Sequence, residues 1–330
     1  MKIAIVKLSA LGDIIHAMVA LQFIKKHLPN ATIDWVVEEG FKDILCNNPD
    51  IHQIHTVNLK QAKQEKSFKS LFQELIKVRK FDCYDLVIDA QGLVKSAIIA
   101  KLIPSKQTWG FSKNSIRESL ASYFYSSTVD IAYDQNTIDR NVAIMCEPLG
   151  FKVLHDEILA KIPFLYFRDN AVNFNPPYTV LIAGSTWGNR NYPKEKFVDL
   201  ANILKIKCLV PWGSAEEKIT ALWMSEHSKY IEILPKLSLD ELKQVISKSV
   251  LLIGNDTGPT HMAWGLNIPS ITVFGPTPIN RVYQTPINRV ISSNSRVDHF
   301  KLNKKDDSIK SIKVTDIAKI AKELLNKGKK

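Results

Sequence analysis

Cysteine is scarce in this 330-residue chain, which has only Cys46, Cys83, Cys146 and Cys208 and no C-x-x-C pair. That scarcity argues against a disulfide framework or a cysteine-ligated zinc site, and it suits a reducing cytosolic compartment. No uninterrupted apolar run reaches the roughly 18 residues of a membrane span, so no spanning helix is expected. The short apolar run at the N-terminus reads as a β-strand rather than a secretory signal. A D-x-D pair is also absent. Divalent cations take oxygen ligands, and with no carboxylate pair to supply them a bound metal is not expected. The loop after the first strand-like run has only Gly12 where a dinucleotide fold needs G-x-G-x-x-G, so a nicotinamide cofactor is not expected either. Acidic residues are in deficit, 33 against 44 Lys and Arg, a net charge of +11. Such an excess points to an anionic partner: nucleic acid, a phosphorylated sugar or an acidic membrane face.

What is present is an alternation of apolar runs and helical patterns. Strands are expected at 3–6, 33–37, 54–57 and 86–89, with a helix over 13–27. Pro176 and Pro177 interrupt the pattern, which then restarts. Strands at 179–183, 207–211, 231–234, 250–253 and 268–274 alternate with helices at 194–204, 215–227 and 239–247. The last helix carries Val314, Ile317, Ile320, Ala321 and Leu324 on one face with lysines opposite. Alternation of this kind predicts an α/β fold with parallel sheets. A chain this long predicts two Rossmann-like domains, joined near residues 170–178, with a ligand cleft between them.

The densest chemical signal lies in residues 253–277. An apolar run ends in Asn255-Asp256-Thr257-Gly258, a helical stretch carrying His261 follows, and a second apolar run ends at Gly275. A helix start there offers free backbone N–H groups and the positive end of its dipole to phosphate. Asp256, Thr257, Gly258 and His261 are therefore expected to hold a nucleotide's phosphates, although a helical histidine is more commonly structural. Ser185, Thr186 and Arg190 follow the strand at 179–183, and hydroxyls and arginine suit phosphate oxygens; a plain connecting loop has the same composition. Glu216 and Glu217 follow the next strand, where a carboxylate accepts ribose hydroxyls or simply complements a helix dipole. Asp13 stands at the end of the first strand. A lone carboxylate there serves as general base, and capping of the adjacent helix is its commoner use.

Between residues 60 and 80, seven basic side chains face only Glu65 and Glu74. Lys77 and Lys80 read as a solvated helix face. Lys60, Lys63 and Lys66, expected in a loop, suit an anionic acceptor or a membrane. Aromatics for base stacking are not interleaved with them, so nucleic acid is not an expected partner.

Six strings extend this reading: KLSALGDIIHA at 7–17, DWVVEEGF at 34–41, VIDAQGLVKSA at 87–97, RESLASYFY at 117–125, LPKLSL at 234–239 and NDTGPTHMA at 255–263. On these the chain resembles the bacterial lipopolysaccharide heptosyltransferases over nearly its whole length. The strings at 34–41 and 87–97 resemble members that add the first heptose of the core. The resemblance implies a GT-B fold: residues 1–172 bind acceptor and carry the base, and residues 173–330 bind nucleotide sugar, the last helix being free to pack back on the first domain. It implies inverting, metal-independent transfer of L-glycero-D-manno-heptose from ADP-heptose to the Kdo of Kdo–lipid A, by a peripheral protein on the cytoplasmic face of the inner membrane.

By the same resemblance Asp13 falls on the family's base, Thr257, Gly258 and His261 on its pyrophosphate turn, and Asp256 on a heptose contact. Ser185 and Thr186 fall on phosphate-contacting hydroxyls. Glu217, or Glu216 beside it, falls on the ribose contact. Arg190 replaces a usual lysine, and Leu237 replaces a frequent methionine of the adenine pocket. Lys60, Lys63, Lys66 and Arg117 would hold the anionic acceptor. Other readings kept open are a transferase adding a later core heptose or another sugar, and a non-catalytic nucleotide- or glycolipid-binding protein.

Overall fold

The computed structural model describes residues 1–169, 174–185, 188–295, 297, 303 and 305–327. The chain divides into two compact units, residues 1–164 and 165–330. The expected boundary at 172/173 lies outside the described residues.

The first unit holds strands β1 (Lys2–Val6), β2 (Thr32–Glu38), β3 (Gln53–Val57), β4 (Tyr84–Asp89), β5 (Ser105–Phe111) and β6 (Ser127–Val129). They form one sheet in the order β3-β2-β1-β4-β5-β6, with every pair parallel. The second unit holds β7 (Thr179–Ile182), β8 (Cys208–Val210), β9 (Ile231–Ile233), β10 (Leu251–Asn255), β11 (Ser270–Phe274) and β12 (Asn288–Ser292). Its order is β12-β11-β10-β7-β8-β9, again all parallel. Counted within each unit, both sheets read 3-2-1-4-5-6, the doubly wound order. The expected α/β class with two Rossmann-like units is the observed one.

The central strands are apolar because helices cover both of their faces. Ile3, Ala4, Ile5 and Val6 are all buried, as are Leu251, Leu252 and Ile253. In the second unit the amphipathic helix Val314–Lys327 packs on the helix Lys194–Leu204, and its Ile317, Ala321 and Leu324 join the same core as Phe197 and Leu200.

Two expectations need correction. The helix expected at 13–27 is two helices, Leu11–Met18 and Ala20–His27, separated at Val19. Lys60 and Lys63 lie not in a loop but on the helix Leu59–Gln64, with Lys66 in the turn after it.

A 3-2-1-4-5-6 sheet has one point where chain progression reverses, between its first and fourth strands. There the loops leaving the strand ends diverge and open a crevice that commonly takes ligands. In the first unit that point lies between β1 and β4, where Val6 pairs with Asp89. In the second it lies between β7 and β10, where Ile182 pairs with Gly254. The sequence-expected residues Asp13, Ser185, Arg190, Asp256, Thr257, Gly258 and His261 all follow one of these four strands.

Candidate active site

In the first unit β1 runs out through Lys7–Ala10 into the helix Leu11–Met18, on which Asp13 is the third residue. The half-buried Asp13 accepts a hydrogen bond from the Ala10 N–H at 3.3 Å. The capping role is thus present; one carboxylate oxygen makes this long bond, which leaves the group able to accept from a ligand as well.

A buried network holds this loop in place. Gln91 Oε1 accepts from the backbone N–H groups of Leu8 and Ser9, each at 3.1 Å. Gln91 is itself placed by Asp89, whose Oδ1 accepts from the Gln91 N–H at 2.8 Å and the Gly92 N–H at 3.2 Å. The second Asp89 oxygen accepts from Ser96 Oγ at 2.8 Å and Tyr125 Oη at 2.7 Å. Burial pushes the Asp89 carboxyl upward, and these four donors oppose it. Burial and the Asp89 charge together keep the Tyr125 hydroxyl protonated, above its ordinary value. The Lys7 ammonium is buried beside both Asp13 and Asp89 and donates to the Ala90 carbonyl at 2.7 Å and Asn141 Oδ1 at 2.9 Å. Burial lowers its pKa, and the two carboxylates counteract that shift.

Tyr125 reaches Asp89 only because residue 110 of β5 is glycine. A Cβ on Gly110 would overlap the Tyr125 ring. Gly110→Ala is therefore expected to push the ring off Asp89 and to lower stability by about 1–3 kcal/mol, the usual cost of overpacking. Urea denaturation checks this, with an unchanged midpoint as the contrary result.

In the second unit Asn255, the last residue of β10, joins the two loops of the switch point. Its Oδ1 accepts from the Tyr192 N–H at 2.9 Å and its Nδ2 donates to the Ala183 carbonyl at 2.7 Å. The helix Gly258–Gly265 starts directly after, with Thr257 at its N-cap and Pro in its first turn. Gly254 permits the close packing this needs, since a Cβ there would stand 2.6 Å from both Ile182 Cβ and Thr260 Oγ1.

Asp256 is almost fully buried at this helix start. His261 Nε2 lies 3.2 Å from its Oδ1, Arg190 Nη1 lies 3.7 Å from its Oδ2, and Thr277 Oγ1 donates to Oδ2 at 3.1 Å. Burial, the largest influence, pushes the carboxyl upward. The His261 hydrogen bond and the charges of His261, Arg281 and Arg190 outweigh it and hold the carboxyl at about 2. Asp256 is thus an anion at neutral pH that fixes a histidine and an arginine beside a positive helix end.

A groove of about 710 Å³ opens on the loop that Asn255 ties to β10, lined by residues that include Gly184, Ser185, Tyr192, Glu216 and Glu217. Its volume falls in the range of small-molecule sites. Glu217 Oε2 accepts from the Gly213 and Ser214 N–H groups at 2.7 and 3.3 Å, while Ser214 Oγ accepts from the Glu217 N–H at 3.2 Å. That is a capping box on the helix Ala215–His227. It presents the Glu217 carboxylate against Gly184, where a Cβ would overlap it.

The structure therefore gathers Ser185 with Glu217, and Arg190 with Asp256 and His261. Half-buried Leu237 lies in the loop before the helix Leu239–Ser247 and is not among the lining of that groove. Thr186 lies outside the described residues. Lys60, Lys63, Lys66 and Arg117 are all exposed on the first unit. Among the described residues, no group of three or more His, Cys, Asp or Glu side chains stands close enough together to hold a metal ion. Sequence reasoning assigned no role to Lys7, Asp89, Gln91, Tyr125, Asn255, Thr277 or Arg281. Asp89 and Asn255 carried a signal, since each ends a central strand at a switch point.

Residues 70–312 match the family described as Glycosyltransferase family 9 (heptosyltransferase). The chain is 38% identical to lipopolysaccharide heptosyltransferase 1 of Campylobacter coli, over 98% of this chain and 99% of that protein. It is 30% identical to lipopolysaccharide heptosyltransferase 1 of Escherichia coli K12, over 92% and 97% of the two chains. Among solved structures it resembles E. coli heptosyltransferase WaaC with ADP-2-deoxy-2-fluoro heptose, with a TM-score of 0.79 and 27% identity over 98% of this chain and 99% of that one.

Proposed function

The chain belongs to glycosyltransferase family 9, the heptosyltransferases, and from that premise we propose that it moves L-glycero-D-manno-heptose from ADP-heptose to the Kdo of Kdo–lipid A, inverting the anomeric carbon. The observation that carries the mechanism is Asp13, a carboxylate at the switch point of the first unit, held by a loop that Gln91 and Asp89 fix. The acceptor hydroxyl oxygen forms the new bond to the anomeric carbon as its proton passes to Asp13. The bond from that carbon to the phosphate oxygen breaks, and its electron pair leaves with ADP from the opposite face. One base and one stabilised leaving group suffice for inversion, as in half of the two-carboxylate arrangement of inverting glycosidases.

The second unit supports departure of ADP. Thr257 and Gly258 at the helix start, with His261 and Arg190, face the growing diphosphate charge. Ser185 and Thr186 supply hydroxyls to the phosphates, Asp256 holds the heptose, Glu217 the ribose and Leu237 the adenine. Lys60, Lys63, Lys66 and Arg117 hold the anionic acceptor. No helix among the described residues is long and apolar enough to cross a membrane. With a net charge of +11, the protein rests peripherally on the anionic cytoplasmic face of the inner membrane.

Two measurements test this reading. Purified protein given ADP-heptose and Kdo–lipid A in the presence of a chelator is expected to add one heptose, read by mass. ADP release without transfer, or transfer only to an already heptosylated acceptor, would overturn the assigned acceptor. Gly184→Ala displaces the Glu217 carboxylate, and is expected to raise the KM for ADP-heptose about tenfold at nearly constant kcat, the worth of one charged hydrogen bond. An unchanged KM would remove Glu217 from ribose binding.

A further inference from the structure

The helix Phe68–Arg79 carries Phe68, Leu71, Phe72, Leu75 and Ile76 at the spacing of a single apolar face. Such a face is ordinarily core, yet Val78 is the only buried residue of this helix. Phe68 is 88% exposed and Phe72 64% exposed. Beside them opens a groove of about 620 Å³, almost wholly apolar, floored by Leu59, Ala62, Leu75, Ile98 and Ile99. Lys63, Lys66 and Lys95 stand on its wall, and exposed Lys60 and Lys69 lie close by in sequence. An uncovered apolar strip rimmed by cations is complementary to an anionic amphiphile with its charges outside and its hydrocarbon within. A second copy of this chain on the same face would set two lysine rims against each other, a like-charge arrangement.

We propose that the helix Phe68–Arg79 and the adjoining groove dock on an anionic bilayer, Phe68 and Phe72 entering the hydrocarbon boundary, the lysines pairing with lipid phosphates and one acyl chain entering the groove. This deepens the peripheral reading above and rests on it for the choice of a bilayer. It adds that binding is partly hydrophobic and is localised to one helix.

Flotation with phosphatidylglycerol–phosphatidylcholine vesicles tests it. The full-length protein is expected to bind anionic vesicles and to bind pure phosphatidylcholine weakly. Phe68→Ser with Phe72→Ser is expected to lower partition into anionic vesicles roughly tenfold or more, given the transfer free energy of two aromatic side chains. The fluorescence of Phe68→Trp, less that of the wild type, is expected to be quenched by lipids brominated on the acyl chain. Partition of the double variant equal to wild type, or no acyl-chain quenching, would overturn the proposal. So would a dimer in sedimentation that the double variant abolishes. Transfer to a deacylated, water-soluble acceptor is expected to be the same in the double variant and the wild type. Failure of the wild type in that assay counts against the assigned reaction alone and leaves the vesicle result standing.

Discussion

Asp13→Asn is expected to lower kcat for heptosyl transfer by about a hundredfold or more, the usual worth of a positioned general base. Asparagine keeps the size of the side chain and an oxygen to accept the Ala10 N–H bond, so the helix start survives. What it cannot do is take a proton. The thermal midpoint and the affinity for ADP-heptose are therefore expected to stay near wild type while turnover collapses. This separates the two uses of the residue that its position allows. If Asp13 only caps the helix, Asp13→Asn retains activity, and Asp13→Ala loses a little stability and little else. Loss of both turnover and fold would point instead to the network behind it, in which Gln91 fixes the backbone of Leu8 and Ser9. Kinetics and melting measured on the same preparations decide between these outcomes.

Asp256→Asn is the second substitution with a large expected effect. In the wild type the carboxyl sits at about 2, with burial opposed by His261, Arg281 and Arg190. Its ordinary value is near 3.8. A carboxyl depressed in the folded state adds stability above its unfolded pKa and loses it as pH falls toward the folded one. The size is about 2 kcal/mol. Asp256→Asn is therefore expected to be less stable than wild type by about 2 kcal/mol from pH 7 down to about pH 4, with the gap narrowing below that. Urea denaturation from pH 7 down to about pH 2 measures it, and a gap that does not narrow below about pH 4 would contradict the ionised state. The same change releases Arg190 and His261 from their shared anchor. Misplacing two groups proposed to face the diphosphate is expected to reduce kcat/KM for ADP-heptose by roughly a hundredfold.

Much of the fold was legible in the sequence, and the exceptions have a physical pattern. The central strands β1, β2, β4, β7, β10 and β11 are buried almost throughout and read as predominantly apolar runs. The strands that escaped notice were β5, β6 and β12. In β5 the sequence SKQTWGF has two exposed residues near its start, β6 is three residues long, and β12 is half-exposed at the sheet edge. β5, β6 (STV) and β12 (NRVIS) hold too few consecutive apolar residues to show as a run, unlike β8 (CLV), which is as short as β6. Lys60 and Lys63 read as loop because a short charged helix has no apolar face of its own to show.

The candidate site divides in the same way. Residues that leave a central strand directly, such as Asp13 and the Asp256–His261 turn, could be placed from sequence order and helix-end chemistry. Their partners could not. Tyr125 meets Asp89 across 36 positions, Thr277 meets Asp256 across 21, and Tyr192 meets Asn255 across 63. These contacts are set by which strands adjoin at the switch points, and that order is a property of the folded sheet. Gly110 and Gly184 belong to this group as well, each small because a side chain from a distant segment lies over it.

The most direct test of the reaction is a crystal structure of this protein with an unreactive ADP-heptose analogue and Kdo–lipid A, or its deacylated core, bound together. The account predicts an Asp13 carboxylate oxygen at roughly 3 Å from the attacking Kdo hydroxyl, within proton-transfer reach, with that hydroxyl on the face of the anomeric carbon opposite the diphosphate. A ternary complex with that hydroxyl on another basic side chain, and Asp13 still turned to the Ala10 N–H, would contradict it.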